Sequence, residues 1–65
     1  MLRRELLNRS RKEMGISAAQ MADKLGITKN YYRKIEAGHR TGTPELWDGI
    51  EDIIGINQRK LRQLV

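Results

Sequence analysis

The stretch Ile16–Gly38, ISAAQMADKLGITKNYYRKIEAG, decides how the rest of the chain is read. Ser17 is a residue type that accepts a backbone N–H at a helix start, and Gln20 follows at the third position, completing a capping box. Met21, Ala22 and Leu25 then recur at helical spacing as a buried stripe. Gly26 stops that helix. Thr28 caps a second one, in which Tyr32 and Ile35 point inward at a spacing of three while Lys29, Asn30, Arg33 and Lys34 point away. Gly38 stops it. Two short helices are therefore joined by a turn at Gly26. The small side chain of Ala22 lets them approach closely at a steep angle.

Outward from this pair, helix one is expected from Leu2 to Met14. Leu7, Ser10 or Arg11, and Met14 recur on one stripe, with Leu2 and Leu6 on an adjoining strip, and Gly15 ends the helix. A polar loop, His39 to Gly42, follows the Ile16–Gly38 stretch. Thr43 then caps helix four, with Pro44 in the first helical position, where its missing N–H costs nothing. Leu46, Trp47, Ile50, Ile53 and Ile54 form its apolar side. Gly49 is a soft spot there, costing about 1 kcal/mol relative to Ala, and Gly55 ends the helix. Asn57 caps a helix five too short to stand alone, with Leu61 and Leu64 on one side. The fold expected is all-α: one compact five-helix domain over residues 1–65, with no strand pattern, repeat or low-complexity linker.

A chain of 65 residues builds one small core, so its stability must come from well-packed helices, a partner subunit, or both. It contains no Cys, which leaves out disulfides and thiolate metal sites, and His39 is its single His. No apolar run is long enough to span a bilayer and no signal peptide opens the chain. A reducing, cytoplasmic setting is the simplest reading. Thirteen Lys and Arg oppose eight Asp and Glu, a net charge of +5, which favours an anionic partner. Basic residues dominate Arg3 to Lys12, Lys29 to Arg40 and Arg59 to Arg62. Glu45, Asp48, Glu51 and Asp52 gather on helix four with no nearby base, nucleophile or phosphate-binding glycine loop. They read as a solvated helix face, and no enzyme is expected.

A second helix that opens with polar and basic side chains is the sequence form of a helix-turn-helix, which lays one helix in the major groove of DNA. In that frame Thr28, Lys29, Asn30 and Lys34 are the expected base contacts. Lys29 can donate to guanine O6 and N7, and Asn30 can pair bidentately with adenine N6 and N7. Outside the frame they would be ordinary solvated residues. Ser17, Tyr31, Arg33 and Arg40 are the expected contacts to the DNA backbone, whereas a lone loop His such as His39 is more often simply exposed. For Tyr31 the alternatives are a phosphate or thymine contact and a half-buried ring with a wet tip. A carboxylate facing DNA would repel phosphate, so Glu36 is expected to serve the structure and not recognition. Trp47 reads as a core or interface anchor. Leu61, Leu64 and Val65 either close the core or form a dimer seam. A homodimer is expected, because it doubles the base contacts on a palindromic site.

Arg11, Met14-Gly15-Ile16-Ser17, Met21-Ala22-Asp23-Lys24-Leu25-Gly26-Ile27-Thr28, Tyr32, Ile35-Glu36-Ala37-Gly38 and Ile54-Gly55-Ile56 stand without a gap in an order that resembles the Cro/C1-type (XRE-like) helix-turn-helix family of phage and bacterial repressors. The resemblance covers nearly the whole chain. It implies a lambda-repressor-like five-helix domain with helix three as the recognition helix. It also implies base-facing Lys29, Asn30 and Lys34, phosphate contacts at His39, Arg40 and Thr41, and an Arg11–Glu36 pair. The chain departs from the family pattern in three places. Ala18 stands where many members carry a phosphate-binding Gln, Ser10 stands at a usually apolar position, and Gly42 replaces a frequent Pro.

The function expected is a sequence-specific, double-stranded DNA binding transcriptional regulator, bacterial or phage-encoded. It would occupy an operator and repress phage, mobile-element or bacterial promoters by blocking polymerase. No cofactor, metal, membrane or small-molecule ligand is expected, and regulation would fall to protein level, oligomerisation or a separate regulatory protein. The rivals are a protein-interaction module such as an antitoxin or adaptor, and a nonspecific or RNA-binding basic protein.

Overall fold

The computed structural model describes residues 2–65, and they form five helices with no strand among them. In chain order these are α1 (Glu5–Glu13), α2 (Ala18–Leu25), α3 (Lys29–Glu36), α4 (Pro44–Ile54) and α5 (Gln58–Leu61). Their starts follow from local chemistry. Ser17 Oγ accepts from Gln20 N at 3.1 Å while Ser17 N donates to Gln20 Oε1 at 2.8 Å, the reciprocal capping box. The hydroxyls of Thr28 and Thr43 accept from Tyr31 N and Leu46 N, and Asn57 Oδ1 accepts from Arg59 N. Each cap satisfies an N–H that the first helical turn would leave unpaired.

Leu7, Met21, Ala22, Tyr32, Ile35, Trp47, Ile50, Ile54 and Leu61 form one core to which every helix contributes. Leu6, Ile16, Leu25, Leu46, Ile53 and Ile56 pack around it, half-buried. α4 packs against α2 and α5. A Cβ added at Gly49 would stand 2.9 Å from Leu25 Cδ2. Gly49 is therefore where α4 makes room for α2, and its weak helix propensity is exchanged for that close approach.

Two expectations are corrected, and of the two alternatives left open for Leu61 one is realised. Helix one does not begin at Leu2, because the backbone of the next two residues is spent on tertiary bonds. Arg3 and Val65 exchange a reciprocal pair of N–H to C=O bonds at 2.9 Å, and Arg4 N donates to Glu36 O at 2.9 Å. The arm therefore runs beside the C-terminus and the end of α3, and α1 starts only at Glu5. Met14 is 49% exposed rather than part of the buried stripe, since α1 has ended and the chain turns at Gly15. Leu61 is wholly enclosed and closes the core, so it is not available to a dimer seam. Leu64 and Val65 remain exposed.

Candidate nucleic-acid interface

The outer side of α3 carries Lys29, Asn30, Arg33 and Lys34, all exposed, and its inner side buries Tyr32, Ile35 and Glu36. This division is the amphipathic rule applied to one short helix. Thr28 is exposed at its start. Its oxygen is engaged by Tyr31 N, which leaves the hydroxyl hydrogen as a donor toward an outside acceptor. Tyr31 is half-buried with its ring against the core margin. An open groove runs beside α3 toward the end of α1 and the start of α2. Lys12, Ser17, Ala18, Lys29, Arg33 and His39 line it together with the arm residues Leu2 and Arg3. The groove is rich in cations, and the only carboxylate on its lining, Glu36, is already paired.

That pairing ties the end of α1 to the end of α3. Arg11 Nε donates to Glu36 Oε1 at 3.2 Å, with both residues buried, and Arg11 Nη1 donates to Ile16 O at 2.7 Å. One guanidinium thus holds the end of α3 and the entry to α2 together. Glu36 faces the protein interior, so no carboxylate from the end of α3 is left facing outward beside Arg33 and Lys34.

Beyond α3, the amides of His39 and Arg40 both donate to Lys34 O. The side chains of His39, Arg40 and Thr41 are exposed. The backbone of this loop is met from inside by Arg4 and Trp47. Arg4 is 6% exposed and its guanidinium donates to Ile35 O, Arg40 O and Arg62 O. These carbonyls lie at the C-terminal ends of α3 and α5 and in the loop, where the helix dipole and unpaired acceptors favour a cation. Burial, and then repulsion from Arg62, lower the Arg4 pKa from its ordinary value. Sequence reading placed Arg4 in a basic surface run and did not single it out. Its partners are main-chain oxygens, which leave no mark in a sequence.

The sequence profile of the Helix-turn-helix family matches residues 7–63. The chain belongs to the Cro/C1-type helix-turn-helix family. No curated protein and no solved structure gives a significant match. The Cro/C1-type family is one of DNA-binding regulators, and the five-helix, lambda-repressor-like architecture of this chain agrees with membership. Among the described residues, no helix of this Cro/C1-type domain is long and apolar enough to cross a membrane. Two of its departures from the family pattern have visible consequences. Ala18 presents no polar side chain to the groove it lines. Gly42 lies against the Nε1 edge of the Trp47 indole, where a Cβ would stand 3.1 Å from Nε1. The acidic side of α4 is not wholly solvated, since Gln58 Nε2 donates to Asp48 Oδ1 at 2.9 Å and Glu51 Oε1 at 3.0 Å and so ties α5 to α4.

Tyr32 gives a test of the core beneath the interface. Its hydroxyl is buried without a hydrogen-bond partner. Burial, and then the Glu36 carboxylate, push its pKa well above the ordinary 10.0. Removing an unsatisfied hydroxyl relieves a desolvation cost, so Tyr32→Phe is expected to leave stability at neutral pH unchanged or raise it by about 1 kcal/mol. The sign at high pH follows from linkage. The unfolded tyrosine releases its proton near pH 10 while the folded one keeps it, so wild-type stability falls as pH rises past that point. Urea unfolding at pH 7 and pH 10.5 is expected to show a smaller alkaline loss for the Phe variant. A large loss at neutral pH would show that the hydroxyl is bonded in solution.

Proposed function

We propose that this protein is a sequence-specific, double-stranded DNA binding transcriptional regulator that represses phage, mobile-element or bacterial promoters from within the cytoplasm. The observation that carries the reading is the exposed, polar and basic outer side of α3, with Lys29, Asn30 and Lys34 free of intramolecular partners among the described residues. Lys29 and Asn30 stand in its first turn, the part of a recognition helix that enters the major groove. Lys29 and Lys34 suit guanine, Asn30 suits adenine, and Thr28 can donate beside them. Ser17, Tyr31, Arg33, His39, Arg40 and Thr41 flank this set and serve the phosphates. Binding two half-sites as a homodimer would double the base contacts, and Leu64 and Val65 offer apolar surface for its seam.

Selection of bound duplexes from a random pool tests this, repeated with Asn30→Ala. A palindromic consensus is expected, blurring at one position per half-site in the variant, with a cost of about 1–3 kcal/mol there. A second reading, a protein-interaction module such as an antitoxin or adaptor, draws on exposed Leu2, Leu64 and Val65 beside the basic groove. No enrichment of any duplex at moderate salt would favour it over DNA readout.

A further inference from the structure

The loop between α3 and α4 has no regular structure, yet its backbone is held by two buried side chains, Arg4 from the opposite end of the chain and Trp47 from the start of α4. Arg4 Nη1 donates to Arg40 O at 2.9 Å, and Trp47 Nε1 donates to the next carbonyl, Thr41 O, at 2.7 Å. The two anchors support each other, with the Arg4 guanidinium 5.2 Å from the centroid of the Trp47 ring. Both carbonyls are thereby turned inward, which keeps their negative ends away from any anion outside. The residue after them must be glycine for this closure. Gly42 has φ +81°, and a Cβ there would stand 3.1 Å from Trp47 Nε1 and 3.5 Å from Ile35 Cδ1. The side chains of Arg40 and Thr41 stay in solvent while their main chain is fixed.

We infer that Arg4 and Trp47 are positioning residues for DNA backbone binding: they set the Arg40–Thr41 main chain so that this loop meets a phosphate without first having to be ordered. The inference rests on the DNA-binding reading above. A contact made by a pre-ordered loop avoids the entropy cost of immobilising it on binding. The Arg4–Trp47 unit also bonds Ile35 O at the end of α3, so the loop is held in register with the recognition helix itself.

The test measures duplex affinity across a sodium chloride series for the wild type, Trp47→Phe, Arg40→Ala and the double variant. It uses a duplex recovered by selection and a mixed-sequence duplex. Trp47→Phe keeps an aromatic ring in the core, deletes the donor to Thr41 O and leaves part of the buried indole volume empty, so affinities are compared at a temperature where every variant is folded. We expect it to weaken both duplexes roughly three- to ten-fold and to lower the salt slope by about one, with the sequence preference unchanged. In the Arg40→Ala background it is expected to cost little more, because both changes remove the same contact. Wild-type affinity and slope in Trp47→Phe, or full additivity with Arg40→Ala, would overturn the inference. A merely structural role for Trp47 would lower the melting temperature without changing the slope. If Trp47→Phe does not fold at the assay temperature, Arg4→Lys takes its place, since an ammonium keeps the charge but cannot span the same set of carbonyls. A wild type without salt-dependent duplex affinity would remove the DNA reading, and this inference with it, before any variant is compared.

Discussion

Arg11→Met is expected to destabilise the domain by about 3–5 kcal/mol while leaving its sequence preference unchanged. Both members of the Arg11–Glu36 pair are buried, and the Nε to Oε1 distance is 3.2 Å. Without the guanidinium, the Glu36 carboxylate is left in the interior beside the unpartnered Tyr32 hydroxyl, and Ile16 O also loses its donor. A domain of this size has a total stability on the order of 3–10 kcal/mol, so the variant would stand close to the limit of folding. The surface pair Arg3–Glu5 supplies the contrast. It spans 3.5 Å with both side chains about half exposed, and Arg3→Ala is expected to cost less than about 1 kcal/mol. Urea unfolding measures both. A double variant, Arg11→Met with Glu36→Leu, separates the cost of a stranded charge from the worth of the pair. It is expected to recover most of the loss, because no charge is left stranded and only the part-buried Ile16 O remains without its donor. Equal stability of wild type and Arg11→Met would mean that the pair is open in solution.

The parts of this fold that were legible in the sequence are the parts whose causes are local. Ser17 with Gln20, Thr28, Thr43 with Pro44, and Asn57 each act within three residues of themselves, so the helix starts they set could be named from residue types alone. The outer side of α3 was legible for the same reason, because one helical period separates Tyr32 and Ile35 from Lys29, Asn30, Arg33 and Lys34. The Arg11–Glu36 pair spans 25 positions, and it was assigned by excluding a carboxylate from a DNA-facing side and by resemblance to a family. Leu61 and Leu64 share an apolar spacing, yet one is enclosed and the other half-exposed. Periodicity locates a face but not where the body ends. The start of α1 was misjudged because the bonds of Arg3 and Arg4 to Val65 and Glu36 compete with a helical turn, and nothing near them in the chain signals this. Trp47 was legible as an anchor from its place on the apolar side of α4, but its bond to Thr41 O was not. Arg4 was the hardest to place. The decisive partners of both are carbonyl oxygens, which every residue carries.

Arg4→Met carries the second large effect, a loss of about 2–4 kcal/mol. The methionine keeps much of the apolar stem but removes donors to Ile35 O, Arg40 O and Arg62 O together with the stacking on Trp47. The upper end of that range is set by the Ile35 bond, which is buried, so its carbonyl would be left without a partner. The lower end is set by the other two bonds, which are only partly buried, so water can replace the donor there. Arg4 also differs from Arg11 in having no carboxylate. Burial and the nearby Arg62 oppose its charge, and its removal strands no carboxylate, so the expected loss is smaller than for Arg11→Met. The location of the damage is as informative as its size. The Arg3–Val65 exchange and the Arg4 N to Glu36 O bond depend on the arm lying where the guanidinium anchors it. Amide hydrogen exchange is therefore expected to accelerate at Arg3, Arg4 and Val65 in Arg4→Met, ahead of Gln20, Met21 and the rest of α2. Uniform acceleration across all five helices would show that Arg4 stabilises the domain as a whole instead of tethering its two ends to the recognition helix.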